Sequence, residues 1–140
     1  MQYVSMKEVE YVAHQLAAEL MAGDEPIPEF KTRFPSILEQ CIAAPRARYN
    51  KKSLYPGLVP QASILFYLMV KNHPFQNGNK RVAIMTLLYF LYKNGRWLKI
   101  DNQELYNFAT WVAASNAKVK DATVDAIKVI VKQNIVALPK

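Results

Sequence analysis

The chain has a single cysteine, Cys41. One thiol cannot form an internal disulfide, so the fold relies on packing alone, and a reducing cytoplasm is the expected compartment. Long apolar runs are also absent. The longest uncharged apolar stretch, Val82 to Tyr92, is far too short to span a bilayer and is flanked by Lys80, Arg81 and Lys93. Membrane partners are therefore not expected. The opening residues Met1-Gln2-Tyr3-Val4-Ser5 lack the basic-then-apolar layout of a secretion signal. Internal repeats, low-complexity tracts and linkers are missing too, which excludes solenoids and extended arrays. Acidic residues are the scarcer charge. Eighteen Lys+Arg stand against 11 Asp+Glu, a net charge of +7. Such a surface favours anionic partners, whether nucleotides, nucleic acid or an acidic protein, although charge alone fits a generally soluble basic surface better. The cations are spread along the chain and form no recognisable DNA-reading helix, so nucleic acid is the weakest of the three.

What is present is globular. Apolar residues make up 51% of the 140 and charged residues 21%, which argues against a disordered chain. The length suits one domain, residues 1–140, around one core. Helical periodicity dominates. Ser5-Met6-Lys7-Glu8 has the form of a capping box, and Val9, Val12, Leu16 and Leu20 recur behind it on one face. Gly23 and Asp24 stop this first helix, and a proline-bearing loop runs to Arg33. A second helix is predicted from Pro35 to Ala44, and a third, opened by Pro60, over Gln61–Lys71. Between them, Pro45–Gly57 has no period and reads as an exposed loop or short flap. The fourth helix, Asn79–Lys93, is apolar on nearly every side, the mark of a central helix packed all round. Asn94-Gly95 supplies a left-handed stop. Arg96–Ile100 is a candidate extended piece. Asp101 to Glu104 repeats the capping-box pattern, and Asp121 is placed as the cap of the last helix, with a stripe of Ile127, Ile130, Val131 and Ile135. The expected architecture is an all-α compact bundle with at most one short β-hairpin.

One segment carries chemistry. His73-Pro74-Phe75-Gln76-Asn77-Gly78-Asn79-Lys80-Arg81 places an imidazole, two carboxamides beside a glycine, and two cations in a loop that opens onto the central helix. A helix N-terminus offers unpaired N–H groups and a positive dipole end, and so attracts phosphate. His73 has the side chain suited to take a proton from a hydroxyl near neutral pH; Pro74 biases it toward an extended backbone. Phe75 is expected to plug the core and Gln76 to face solvent. Gly78 permits a positive φ and a close ligand approach. Asn79 can cap the fourth helix or bond a phosphate. Lys80 and Arg81 in its first turn oppose the dipole, a placement that a bound anion would offset. The competing reading is two solvated cations beside a structural histidine. His14, with no polar company, is assigned a structural role.

The block HPFQNGNKR, followed by a helix ending in FLYKNG, resembles the signature of the Fic/Doc superfamily, H-x-F-x-[D/E]-x-N-x-R. Lys80 stands where most Fic enzymes carry glycine, which looks like the death-on-curing (Doc) branch. The length, Leu38-Glu39 and Ala43-Ala44-Pro45 extend the resemblance over most of residues 1–138. It implies a Fic-fold helical bundle with ATP and Mg²⁺ at the loop. It also implies a toxin, held by an antitoxin protein, that phosphorylates a hydroxyl of a protein target such as elongation factor Tu. By the same resemblance His73 is the general base. Gly78, Asn79, Lys80 and Arg81 form the anion cradle, and Lys80 and Arg81 offset charge on the transferring group. Asn77 falls at the metal-ligand position, where the family has Asp or Glu. Arg46, Arg48 and Lys52 fall in the target-docking flap, where added strand pairing is one mode of engagement and a solvated basic loop the other. Ile84 replaces a second arginine found in many AMP-transferring members, which weakens that alternative. The self-inhibitory pattern [S/T]-x-x-x-E-[G/N] matches no segment, so restraint is expected from a separate chain. Nucleotidyl transfer and a catalytically degenerate binding module remain as alternatives, the second motivated by Asn77.

Overall fold

The computed structural model of the protein describes residues 1–17, 19, 21 and 27–139. Leu20, Gly23 and Asp24 lie outside the described residues, as does the side chain of His14. Helix α1 spans Met6–Tyr11 and continues as a wider π-helical turn over Val12–Ala17. The capping box at its start is formed from both sides: Ser5 Oγ accepts from Glu8 N at 3.2 Å, and Glu8 Oε1 accepts from Ser5 N at 3.0 Å. Helix α2 spans Pro35–Ala43. A two-residue hairpin follows, β1 Arg48–Tyr49 with β2 Lys52–Ser53, turned by Asn50 and Lys51 at positive φ. Helix α3 is Leu58–Lys71, longer by one turn than Pro60 predicts, because Gly57 at φ +95° turns the chain into it. Helix α4 is Asn79–Lys93, as the sequence predicts, and buries nearly every side chain up to Leu91.

Gly95 adopts φ +76° after α4. Strand β3, Arg96–Leu98, then leads to helix α5, Asn102–Ala114, where the Asp101 side chain accepts from the N–H groups of Gln103 and Glu104. Helix α6 is Lys120–Asn134. Asp121 does not cap it. Asn116 instead caps a short 3₁₀ turn, Ala117–Val119, that runs directly into α6, so Asp121 falls inside the first turn. Strand β4, Ile135–Ala137, pairs antiparallel with β3 in the register Arg96↔Ala137, Trp97↔Val136 and Leu98↔Ile135. The fold is thus helical with one hairpin, plus a second strand pair between segments far apart in sequence. Periodicity could not show that pair, since three residues carry no usable alternation.

The buried side chains form one contiguous cluster. Helix α4 runs through it, packed against α3, α5, β3 and the π-helical turn after α1. Among the described residues, no helix is long and apolar enough to cross a membrane. The far end of α4 is pinned to the N-terminus. Lys93 Nζ donates to both Glu8 carboxylate oxygens at 2.7 Å and to Tyr3 O at 2.8 Å, and Tyr89 Oη donates to Glu8 Oε2 at 2.8 Å. Burial alone would push the Glu8 carboxyl up. The bonds from Lys93, the Ser5 backbone and Tyr89 outweigh it and hold the group at about 2, against an ordinary 4.5. The same carboxylate pushes the Tyr89 phenol up to about 12.

A depressed carboxyl stabilises the fold above its unfolded pKa and loses that contribution as pH falls. The Glu8 contribution should therefore be complete above about 4.5 and fade toward about 2. Glu8→Gln should lower stability at pH 7 by about 1–2 kcal/mol and flatten the acid limb in that window. Urea unfolding at a series of pH values measures both; an unchanged acid limb would remove Glu8 from the account.

Candidate active site

The loop between α3 and α4 is held from both sides. On the α3 side, Asn72 closes the helix, donating to Leu68 O at 2.9 Å, and His73 follows at φ +49°. The extended backbone expected from Pro74 is not what the structure shows. The position just past a helix end favours left-handed backbone, and here helix termination overrides the proline bias. Pro74 O accepts from Phe34 N at 2.9 Å, which ties the loop to the start of α2. Phe75 is buried and its ring lies 6.0 Å from that of Phe30, so it anchors the loop as predicted.

On the α4 side, Asn79 bonds backward to the same residue. Its Oδ1 accepts from Phe75 N and its Nδ2 donates to Phe75 O, both at 2.9 Å and both buried. Its Nδ2 also lies 3.4 Å from His73 Nδ1. Asn79 is thus a loop clamp rather than a helix cap. Among the described residues no side chain caps α4; Gly78 takes the N-cap position at φ +73°, and its N–H donates to Asn77 Oδ1 at 2.8 Å. Gly78 has a steric role as well. A Cβ there would sit 2.6 Å from Ile27 Cδ1.

These constraints build a cleft of about 260 Å³ lined by His73, Gln76, Asn77, Gly78, Asn79 and Lys80, with Val70 and Ala113 behind. His73 and Gln76 are exposed, and Lys80 is half-buried. Among the described residues Lys80 makes no ion pair, so a cation stands uncompensated beside an imidazole at a helix N-terminus. That combination suits an anion whose charge grows while a neighbouring hydroxyl loses its proton. The volume is just below the roughly 300–1,000 Å³ of full ligand sites, so it suits a phosphate chain better than a whole nucleotide.

Residues 3–91 match the family model described as the Fic/DOC family. The chain belongs to the Fic/DOC family. A curated relative, described as Toxin Doc from Mycolicibacterium smegmatis, is 34% identical over 73 residues, covering 52% of this chain. The matched segment spans 56% of that relative. No solved structure matches the chain.

Within this Fic/DOC chain the expected site residues divide. His73, Asn77, Gly78, Asn79 and Lys80 come together at the cleft. Arg81 is not among its lining residues. It is only 8% exposed, and its guanidinium lies behind Gly78, with Nη1 3.5 Å from Met21 O and Nη2 3.5 Å from where a Gly78 Cβ would sit. Successive helical residues point about 100° apart, so Lys80 and Arg81 cannot share one direction. Arg48 and Lys52 lie on the exposed hairpin, Arg48 donating back to Lys51 O. Arg46 lies in the preceding 3₁₀ turn, with its guanidinium 5.2 Å from the centre of the Tyr3 ring.

Asn77 does not supply a charged metal ligand. Its Oδ1 already accepts from Gly78 N, and no carboxylate is among the described residues that line the cleft. Among the described residues no group of three or more His, Cys, Asp or Glu could hold a metal ion. Mg²⁺ prefers carboxylate and phosphate oxygens, so these residues do not fit a protein-held ion.

Four residues that shape the cleft had no signal in the sequence. Ile27 lies in a loop of no period, yet its Cδ1 is the atom that a side chain at residue 78 would displace. Val70 and Ala113 belong to apolar helix faces. Lys71 joins them, donating to Ala113 O at 3.2 Å and to Ser115 O, so the end of α5 is fastened beside the loop. A second cleft, of about 300 Å³, lies at the other end of α4 between Tyr11, Leu16, Met85, Tyr89, Tyr92 and Trp97. Tyr11 and Tyr92 are more than half exposed there.

Gly78→Ala should destabilise the fold by about 1–3 kcal/mol, from positive φ and the Ile27 contact together. In an Ile27→Ala background the same change should cost less, because the steric part is gone. Thermal unfolding of the four variants measures the coupling; equal costs in both backgrounds would show that Ile27 is not the obstacle.

Proposed function

We propose that this Fic/DOC chain is a Doc-like toxin that transfers a phosphoryl group from ATP to a Ser or Thr hydroxyl of a protein target. One observation carries the reading: His73 and Lys80, which makes no ion pair among the described residues, line one cleft at the N-terminus of α4. In the reaction the target hydroxyl loses its proton to the unprotonated imidazole nitrogen of His73. Its oxygen bonds to the γ-phosphorus, the bond from that phosphorus to the β-phosphate oxygen breaks, and ADP leaves. Lys80 and the first-turn N–H groups of α4 offset charge on the phosphate oxygens. Arg81, behind Gly78, supports the loop from its buried side. The resemblance to a toxin suggests a target in translation, elongation factor Tu among the candidates, and restraint by an antitoxin; the chain's net charge of +7 suits an acidic partner.

A second reading has its own observation. The Asn77 carboxamide oxygen is engaged by Gly78 N, and among the described residues no acidic group gathers there to hold a metal. A binding module of the same fold, without turnover, would look like this.

Incubation with ATP and cell extract separates the readings. Label on the γ-phosphate should appear on a protein, label on the α-phosphate should not, and His73→Ala should lower transfer by about 10²–10⁴-fold. Transfer of the α-label would replace phosphorylation by nucleotidyl transfer. No transfer by the natural chain, together with strong transfer by Asn77→Asp, would establish the module without turnover.

A further inference from the structure

The Asn79 carboxamide has only one workable orientation. Its Oδ1 faces Phe75 N and its Nδ2 faces Phe75 O, each at 2.9 Å and each away from solvent. Turning the amide over would set oxygen against oxygen and N–H against N–H, leaving two buried main-chain groups unpaired. The amide nitrogen is therefore the atom presented to His73. It carries two hydrogens. One goes to Phe75 O, and the other is available to His73 Nδ1, 3.4 Å away.

A donor facing Nδ1 needs a lone pair there. Neutral imidazole has one N–H and one lone pair, so the proton must reside on Nε2. We propose that Asn79 is a positioning residue that holds neutral His73 in its Nε2–H tautomer and makes Nδ1 the proton acceptor. The catalytic meaning of this assignment rests on the phosphoryl transfer proposed above; the tautomer itself does not. When a hydroxyl gives up its proton, it first displaces the Asn79 N–H from the single Nδ1 lone pair; the O–H bond then breaks and an Nδ1–H bond forms. Two N–H groups then face each other. Asn79 is fixed by its two bonds to Phe75, so the imidazole is the partner that moves, and it carries the proton away from the loop.

Long-range ¹H–¹⁵N correlation on the full ¹⁵N-labelled chain reads the tautomer directly. The chain has two histidines, and a His73→Gln spectrum assigns the signals. At a pH where the ring is neutral, Nδ1 of His73 should show the shift of an unprotonated nitrogen and Nε2 that of a protonated one. Asn79→Asp puts an acceptor in place of the donor and should exchange the two shifts. A wild-type ring protonated on Nδ1, an even mixture, or an Asn79→Asp spectrum identical to wild type would overturn the proposal. If Asn79→Asp does not fold, the wild-type spectrum decides alone. A chain that shows the Nε2–H form but transfers no label retains this inference and loses the proposed activity.

Discussion

The two hydrogen bonds between the Asn79 carboxamide and the Phe75 main chain are the constraint on which the site depends. They join a residue of the first turn of α4 to a residue of the preceding loop, so the loop becomes a ring closed by a side chain. Both bonds are shielded from water, where an unmade bond costs more than a made one contributes. The ring fixes the distance between the imidazole before it and the cation after it. Phe75, buried beneath, stops the ring from tilting, and Phe34 N holds Pro74 from the side of α2. Without this closure His73 and Lys80 would be neighbours in sequence only.

Helix α4 gives the ring its rigidity. A helix buried along nearly its whole length has no direction in which to relax, so its N-terminus is a fixed point. Its two ends carry cations under opposite physics. Lys93, at the C-terminal end, agrees with the helix dipole and is neutralised by Glu8 at 2.7 Å. Lys80, at the N-terminal end, opposes the dipole and makes no ion pair among the described residues. The asymmetry separates a structural cation from one left available to a ligand.

The cleft's chemistry is lopsided. Its described lining residues give an imidazole, a cation and backbone donors, but no carboxylate. Such a site suits negative charge that arrives with its own counter-ion or needs none from the protein. Asn77 accepts from Gly78 N at 2.8 Å and so helps shape the turn. The same residue type that weakens the case for a protein-held metal thus strengthens the loop. The hairpin that carries Arg48 and Lys52 is exposed at both strands and contributes no residue to the described lining of the cleft.

Local physics made much of this legible in the chain itself. The helix at Asn79–Lys93, the capping box at Ser5 and Glu8, the stop at Gly95, and the loop holding His73, Gly78 and Lys80 all follow from contacts within a few residues. Propensity and periodicity report such contacts well. What depends on partners distant in sequence was decided by tertiary structure. The turn of Arg81 toward Met21, the pressure of Ile27 on Gly78, the Lys71 clamp on α5 and the pairing of β3 with β4 are of this kind. So is the competition at His73, where the end of α3 prevailed over Pro74, and at Asp121, where an earlier turn had already started the helix. Sequence names the groups that can react; the direction in which each one points is a property of the packed core.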